Sequence, residues 1–70
     1  MAAFELIMTI TAENKAAMDH QIAEAERIAI ARAVVDGTKG IMVTRHKPNL
    51  CTVVLSDEVP YGLTRERLLM

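Results

Sequence analysis

The stretch from Ala12 to Asp36 contains neither glycine nor proline and is rich in alanine, in a chain of only 70 residues. This composition has a high intrinsic propensity for α-helix. Thr11 is placed to cap the N-terminus with its hydroxyl group, and Gly37 suits the left-handed residue that commonly follows a helix. The sequence therefore predicts one long helix over residues 12–36, and the rest of the fold has to be built around it.

The apolar residues of this helix form two stripes, and the first is expected to cover a sheet. At 100° per residue it comprises Met18, Ile22, Ala25, Ala29 and Ala33. An amphipathic helix packs such a stripe against the core of its own domain. The helix is therefore predicted to lie across the strands with this side inward.

The second stripe lies roughly 140° around the helix and comprises Ala12, Ala16, Ala23, Ile30 and Val34. A helix that is apolar on several sides is buried on several sides. A helix of this length spans roughly 37 Å and a short strand about 23 Å, so the helix overhangs its own sheet. We therefore expect at least a homodimer, with helix–helix contact along Ala16, Ala23, Ile30 and Val34.

The size of the chain also favours association. In a domain of 70 residues the hydrophobic gain barely offsets the entropy of ordering the chain. Cys51 is the only cysteine, so an internal disulfide is impossible, and two histidines with one cysteine do not make a structural zinc site. No metal or cofactor is expected, and self-association remains as the source of additional burial.

Two further segments are predicted to be strands. Residues 4–10, FELIMTI, alternate between the two faces expected of a half-buried strand. Residues 41–56 contain two β-branched runs on either side of Pro48 and Asn49, which favour a tight turn, so this segment is predicted to be an antiparallel hairpin.

These elements predict a single α+β domain over residues 1–70, with the order β-α-β-β. Its sheet is expected to have three strands, mostly antiparallel, with the third strand at the centre and one long helix packed on it. Residues 57–70 are a C-terminal tail. Thr64 can cap a short final helix in this tail, and an extended arm docked on a neighbouring subunit is the alternative.

Composition and charge exclude several classes of protein. Eight basic and nine acidic residues give a net charge of −1, which argues against a polycationic binder of nucleic acid or membranes. The opening MAAFELIMTI includes Glu5 and lacks the basic region of a secretory signal, and no apolar run is long enough to span a membrane. A cytoplasmic location is the expectation.

The hairpin turn carries the main chemical candidates, Arg45, His46 and Lys47. With Pro48 and Asn49 at its centre, His46 is expected opposite Cys51. A reactive thiol also needs a cationic environment and an oriented base, so we interpret this pair as structural. The three basic residues are interpreted mainly as solvated tip residues, with contact to an anionic partner as the alternative.

Arg27 and Arg32 lie among apolar residues in the second half of the helix. Ion pairing with nearby acidic residues is the simpler interpretation, and an anion site between subunits is the other, because guanidinium groups bind phosphates and carboxylates well. His20 and Glu24 are four residues apart but have no third ligand nearby, so no metal site is predicted.

No catalytic constellation is evident, so an enzyme is not expected. The first hypothesis is a small accessory or regulatory protein that acts as a homo-oligomeric protein-interaction module. The second is a protein that binds or sequesters a small anionic ligand between subunits through Arg27, Arg32 or Arg45. The third is a nucleic-acid-binding regulator that uses paired hairpin tips, which the slightly negative net charge disfavours.

Overall fold

The computed structural model describes residues 3–69, so the two ends of the predicted domain, residues 1–2 and 70, lie outside the described residues. The elements in chain order are β1 (Phe4–Thr11), α1 (Lys15–Asp36), β2 (Gly40–Lys47), β3 (Leu50–Ser56) and β4 (Thr64–Leu68). They form one sheet with the strand order β1-β3-β2-β4, and α1 packs on one of its faces. The α+β class with one packed helix is thereby confirmed. We call the other face of the sheet the open face.

Within residues 3–69 the sheet has four strands and is mixed, so the prediction of a three-stranded, mostly antiparallel sheet is wrong in the number of strands. The third strand does lie between the first two and is antiparallel to both, as predicted. The additional strand, β4, pairs in parallel with β2 at the edge of the sheet, from Ile41 opposite Thr64 to Arg45 opposite Leu68.

Strand β4 comes from the predicted tail, where a final helix or an exchanged arm was expected. A turn places it beside β2: the Leu63 N–H donates to the Pro60 carbonyl at 3.1 Å, and the Ile41 N–H donates to the Leu63 carbonyl at 3.0 Å. Val59 is fully buried and anchors this turn on the domain. All five residues of β4 are exposed. Its sequence, TRERL, therefore needs no apolar face and does not show the apolar alternation that predicts a half-buried strand.

Helix α1 begins later than the sequence predicts, at Lys15 instead of Ala12. Its N-cap is Asn14, whose side-chain oxygen accepts a hydrogen bond from the Ala17 N–H at 2.8 Å. Thr11 cannot serve as the cap because it is still paired in β1. The helix ends at Asp36 as predicted, followed by Gly37 with a φ of 75°.

The core lies between α1 and the sheet, and the first stripe of the helix faces it as predicted. Met18, Ala25, Ala29 and Ala33 are buried, and Ile22 is partly buried against them. The sheet contributes the buried residues Ile10, Ile41, Val43, Cys51, Val53 and Leu55. These side chains define the helix-facing side of each strand.

A β-bulge in β1 changes the predicted alternation of FELIMTI. Leu6 is opposite Val54 but Met8 is opposite Val53, so Ile7 is the extra residue. Because Val53 belongs to the core, Met8 faces the helix, whereas Leu6 shares the open face with Val54. A strand that was expected to present one apolar side instead supplies apolar residues to both faces.

Candidate functional site

The hairpin turns at Pro48 and Asn49 as predicted, since Lys47 is opposite Leu50, but the pairing behind the turn differs. The register shifts between Arg45 and Lys47, so that Arg45, not His46, is opposite Cys51. His46 is therefore an extra residue in β2. Because of it, the residues of β2 that precede His46 share a face with different residues of β3 than predicted.

His46 and Cys51 consequently do not form a reactive pair. Cys51 is fully buried among the residues that face α1. His46 lies over the open face, where its Nε2 is 3.0 Å from the Thr52 hydroxyl. A thiol and its base must lie within hydrogen-bonding reach on the same side of the sheet, which these two side chains do not. The interpretation of both residues as structural stays a prediction.

The three basic residues of the tip do not form one patch. Arg45 is half-buried and lies on the helix side of the sheet beside Ile22 and Leu68, His46 lies over the open face, and Lys47 is exposed at the turn. A cluster that would contact one phosphate or one acidic side chain with all three groups is therefore not assembled within a single chain.

Arg27 and Arg32 are each held in an exposed ion pair. Arg27 pairs with Glu24, one turn earlier on α1, and Arg32 pairs with Glu5 of β1. The two arginines are five residues apart, which places them about 140° apart around the helix. They do not converge with Arg45 on a common site in one chain. Within residues 3–69, no three His, Cys, Asp or Glu side chains come together in an arrangement suited to a metal ion.

The open face presents two cross-strand rows that the sequence analysis did not identify. The strand register aligns Leu6, Val54, Met42 and Arg65 in the first row. It aligns Thr9, Thr52, Thr44 and Arg67 in the second. Each row ends in an arginine of the edge strand β4. The face is thus apolar near the start of β1, hydroxyl-bearing further along, and basic at one edge.

A shallow basin of about 350 Å³ lies on this face. Met42 and Val54 line it together with Phe4 and Leu69, both of which are largely exposed. At its rim the Arg67 guanidinium lies 3.7 Å from the Glu58 carboxylate, and both side chains are about half exposed. This distance is too long for a strong hydrogen bond, so the guanidinium can still bind an incoming carboxylate.

The outer side of α1 forms a second exposed apolar surface. Ala16, Ala23, Ile30 and Val34, predicted as the oligomer interface, are all exposed in the single chain, with Ile30 at 53% and Val34 at 63%. Beside the last two residues a groove of about 220 Å³ continues toward Tyr61 and Leu63. The assignment of this surface to an oligomer stays a prediction.

Comparison of the chain with protein-family models, with curated proteins and with solved structures finds no match in any of the three. Within residues 3–69, no helix is both long enough and apolar enough to cross a membrane. Function is therefore inferred from two exposed surfaces, the open face of the sheet and the outer side of α1. Neither Arg65 nor Arg67 was predicted as a site residue, although the alternation in TRERL places both arginines on one side of a strand.

Proposed function

We propose that this protein is a small, non-enzymatic accessory protein that forms a homo-oligomer through α1 and binds another protein on the open face of its sheet. The observation that carries the proposal is the basin on the open face, an apolar depression bounded on one side by the guanidinium of Arg67. A cytoplasmic location stays a prediction from the sequence.

The chemistry of the basin favours a particular kind of partner. Met42, Val54 and Leu69 offer aliphatic surface, which takes up an apolar side chain. Arg67, together with Arg65 further along the same edge strand, favours a carboxylate next to that side chain. The expected partner is therefore a protein segment in which an apolar residue is close to Asp or Glu.

Nucleic acid suits this face less well. Single strands are bound by stacking successive bases on aromatic side chains along a basic groove. The chain contains only two aromatic residues, Phe4 and Tyr61, and its net charge is −1. Tyr61 lines the groove beside α1 and not the basin. Phe4 is therefore the one aromatic ring in the basin on which a base could stack.

Selection of short peptides from a random displayed library against the purified protein tests this proposal. We expect the selected peptides to combine apolar residues with Asp or Glu. The variant Arg67→Glu should bind them about 10-fold to 100-fold more weakly, because a charge-assisted hydrogen bond contributes about 1.5–3 kcal/mol. Lys15→Glu, with the same charge change on an exposed residue of α1, is the matched control and should bind normally.

Two outcomes would contradict the proposal. One is a library that yields no binders or only peptides without carboxylates. The other is equal loss of binding in both variants, which would indicate an effect of net charge and not of the basin. A bare monomer in native mass spectrometry would remove the homo-oligomeric part independently of the peptide result.

A further inference from the structure

We infer that two copies of this chain pair through their α1 helices in an antiparallel arrangement, with a two-fold axis near residue 25. This inference rests on the homo-oligomer of the proposed function and specifies its geometry. The surface concerned is defined by residues that recur at alternating steps of four and three along the helix. These residues, which we call the seam, are Ala16, His20, Ala23, Arg27, Ile30 and Val34.

The seam is a continuous and available surface. At 100° per residue its six members fall within a stripe about 80° wide, and they extend over about 27 Å of helix. Every member is exposed in the single chain. The stripe is distinct from the one buried against the sheet, so a second helix can lie along it without disturbing the core.

Side-chain size favours the antiparallel direction. The small residues Ala16 and Ala23 lie in the first half of the seam, and the large apolar residues Ile30 and Val34 lie in the second. In an antiparallel pair each large residue faces a small residue or His20 of the second copy, and the helices keep an even separation. A parallel pair would place Val34 on Val34 and Ala16 on Ala16, which crowds one end and leaves a gap at the other.

Charge favours the same direction. Arg27 is a seam residue and Glu24 is adjacent to the seam, and they already form an ion pair in the single chain. With the axis at residue 25, where residue 16 of one copy faces residue 34 of the other, Arg27 of each copy lies opposite Ala23 and next to Glu24 of the other, so four charges of alternating sign surround the axis. A parallel pair would instead place Arg27 against Arg27, and like charges at an interface are strongly unfavourable.

The edges of the sheet are poorer candidates for the contact between copies. If the β4 strands of two copies paired antiparallel about their centre, Arg65 or Arg67 would lie opposite an arginine of the second copy, because both arginines are on the same face. Like charges directly opposite each other in a sheet are destabilising. The other edge strand, β1, is interrupted by the bulge at Ile7, and bulges disfavour further pairing. The groove beside Ile30 and Val34 adds apolar surface to the helical contact.

The arrangement has a consequence for partner binding. Helix α1 and the open face lie on opposite sides of the sheet, so pairing through α1 leaves both basins free and directs them away from each other. The dimer would then hold two copies of a partner, or two segments of one partner, with avidity that a single chain does not have.

Disulfide trapping tests the direction of the helices. In the antiparallel pair residue 16 of one copy faces residue 34 of the other, while the two copies of residue 16 are about 27 Å apart. The double variant Ala16→Cys, Val34→Cys should therefore form a covalent dimer of twice the 7.7 kDa chain mass under mild oxidation. Neither single variant should do so, and the native Cys51 is buried and does not interfere.

The outcomes separate this inference from the proposed function. A covalent dimer of Ala16→Cys alone would indicate parallel helices and overturn the inference. Absence of trapping in every variant, with a dimer in native mass spectrometry, would also overturn it but would leave self-association standing. A monomer in native mass spectrometry would remove both.

Charge exchange gives an independent readout in variants altered at Glu24, which is partly buried, and at Arg27, which is exposed. Glu24→Arg and Arg27→Glu should each raise the dissociation constant of the dimer about tenfold or more, and the double exchange should restore it. Circular dichroism of each variant verifies folding. Each single variant should stay folded, because an exposed ion pair within one helix contributes little to its stability. Unchanged dissociation constants in folded single variants would contradict the charge arrangement.

Discussion

Replacement of Gly40 by alanine should disrupt the contact between β2 and the turn that leads to β4. Gly40 is the first residue of β2 and is buried, and its N–H donates a hydrogen bond to the Val59 carbonyl at 2.8 Å. A Cβ atom at this position would lie 2.4 Å from the Pro60 carbonyl oxygen and 2.5 Å from Val59 Cγ1. The first of these atoms belongs to the backbone, so the turn itself has to move.

The expected loss of stability can be worked from these contacts. Overpacking of a tight site costs about 1–3 kcal/mol. A weakened hydrogen bond to Val59 adds about 0.5–1.5 kcal/mol. The reduced entropy of the unfolded chain offsets about 0.4–1 kcal/mol. The net loss for Gly40→Ala is therefore about 2 kcal/mol, which for a chain of this size corresponds to a fall in Tm of about 8–16 °C.

Urea unfolding followed by circular dichroism, at one fixed protein concentration, measures this loss. The matched control is Gly62→Ala in the same turn, where an added Cβ meets nothing within 4 Å but φ is 91°. Its cost is conformational, so Gly62→Asn should recover most of it, because asparagine tolerates positive φ. Gly40→Asn should recover nothing. A free energy of unfolding for Gly40→Ala equal to that of the wild type would refute the steric argument.

Three further predictions concern single side chains. Asn14→Ala should lower the free energy of unfolding by about 1 kcal/mol, measured by urea unfolding, because it removes the hydrogen bond to the Ala17 N–H. The hydrogen bond from the Thr38 hydroxyl, and then that from Lys39, lower the pKa of Asp36 from 3.8 to about 2. This stabilisation is complete above pH 3.8 and is lost as the pH falls toward 2, so the stability difference between wild type and Asp36→Asn should disappear over that range in unfolding curves recorded at stepped pH. Cys51 should resist alkylation in the native protein and react after unfolding, and Cys51→Ser should cost about 1–3 kcal/mol in the same urea assay because its hydroxyl would be buried among apolar side chains. Rapid alkylation of the native thiol would contradict its position in the core.

The helix and the hairpin turn could be predicted because their signals are local. The residues between Ala12 and Asp36 share a high helix propensity, Gly37 supplies the positive φ that ends the helix, and Pro48 with Asn49 fixes a two-residue turn. Only the start of the helix was placed wrongly. Two residues able to cap, Thr11 and Asn14, are close in sequence, and strand pairing determines which of them is free.

The two bulges could not be predicted from the pattern of polar and apolar residues. Ile7 and His46 are acceptable on either face of a sheet, so nothing in their identity marks them as extra. Each insertion nevertheless changes which side chains share a face. The predicted His46–Cys51 opposition and the composition of the open face both depended on this register.

Strand β4 was missed because its stability does not come from its own side chains. TRERL has the alternation of a strand but no apolar face, and all its residues are exposed. It is held by hydrogen bonds to β2 and by the buried Val59 that precedes it, which are tertiary contacts. Since Arg65 and Arg67 belong to this strand, the basic edge of the open face could not be placed from the sequence.

The strand order β1-β3-β2-β4 also bears on how the chain folds. Strands β2 and β3 are joined by two residues and can pair within microseconds, as isolated hairpins do. Strand β1 must instead close a loop that contains all of α1 to bring Phe4 opposite Ser56. Contacts between residues this distant in sequence form late and slow the reaction. We therefore expect the hairpin to belong to the folding nucleus and the β1–β3 contact to form after the rate-limiting step, so that weakening β1 accelerates unfolding more than it slows folding.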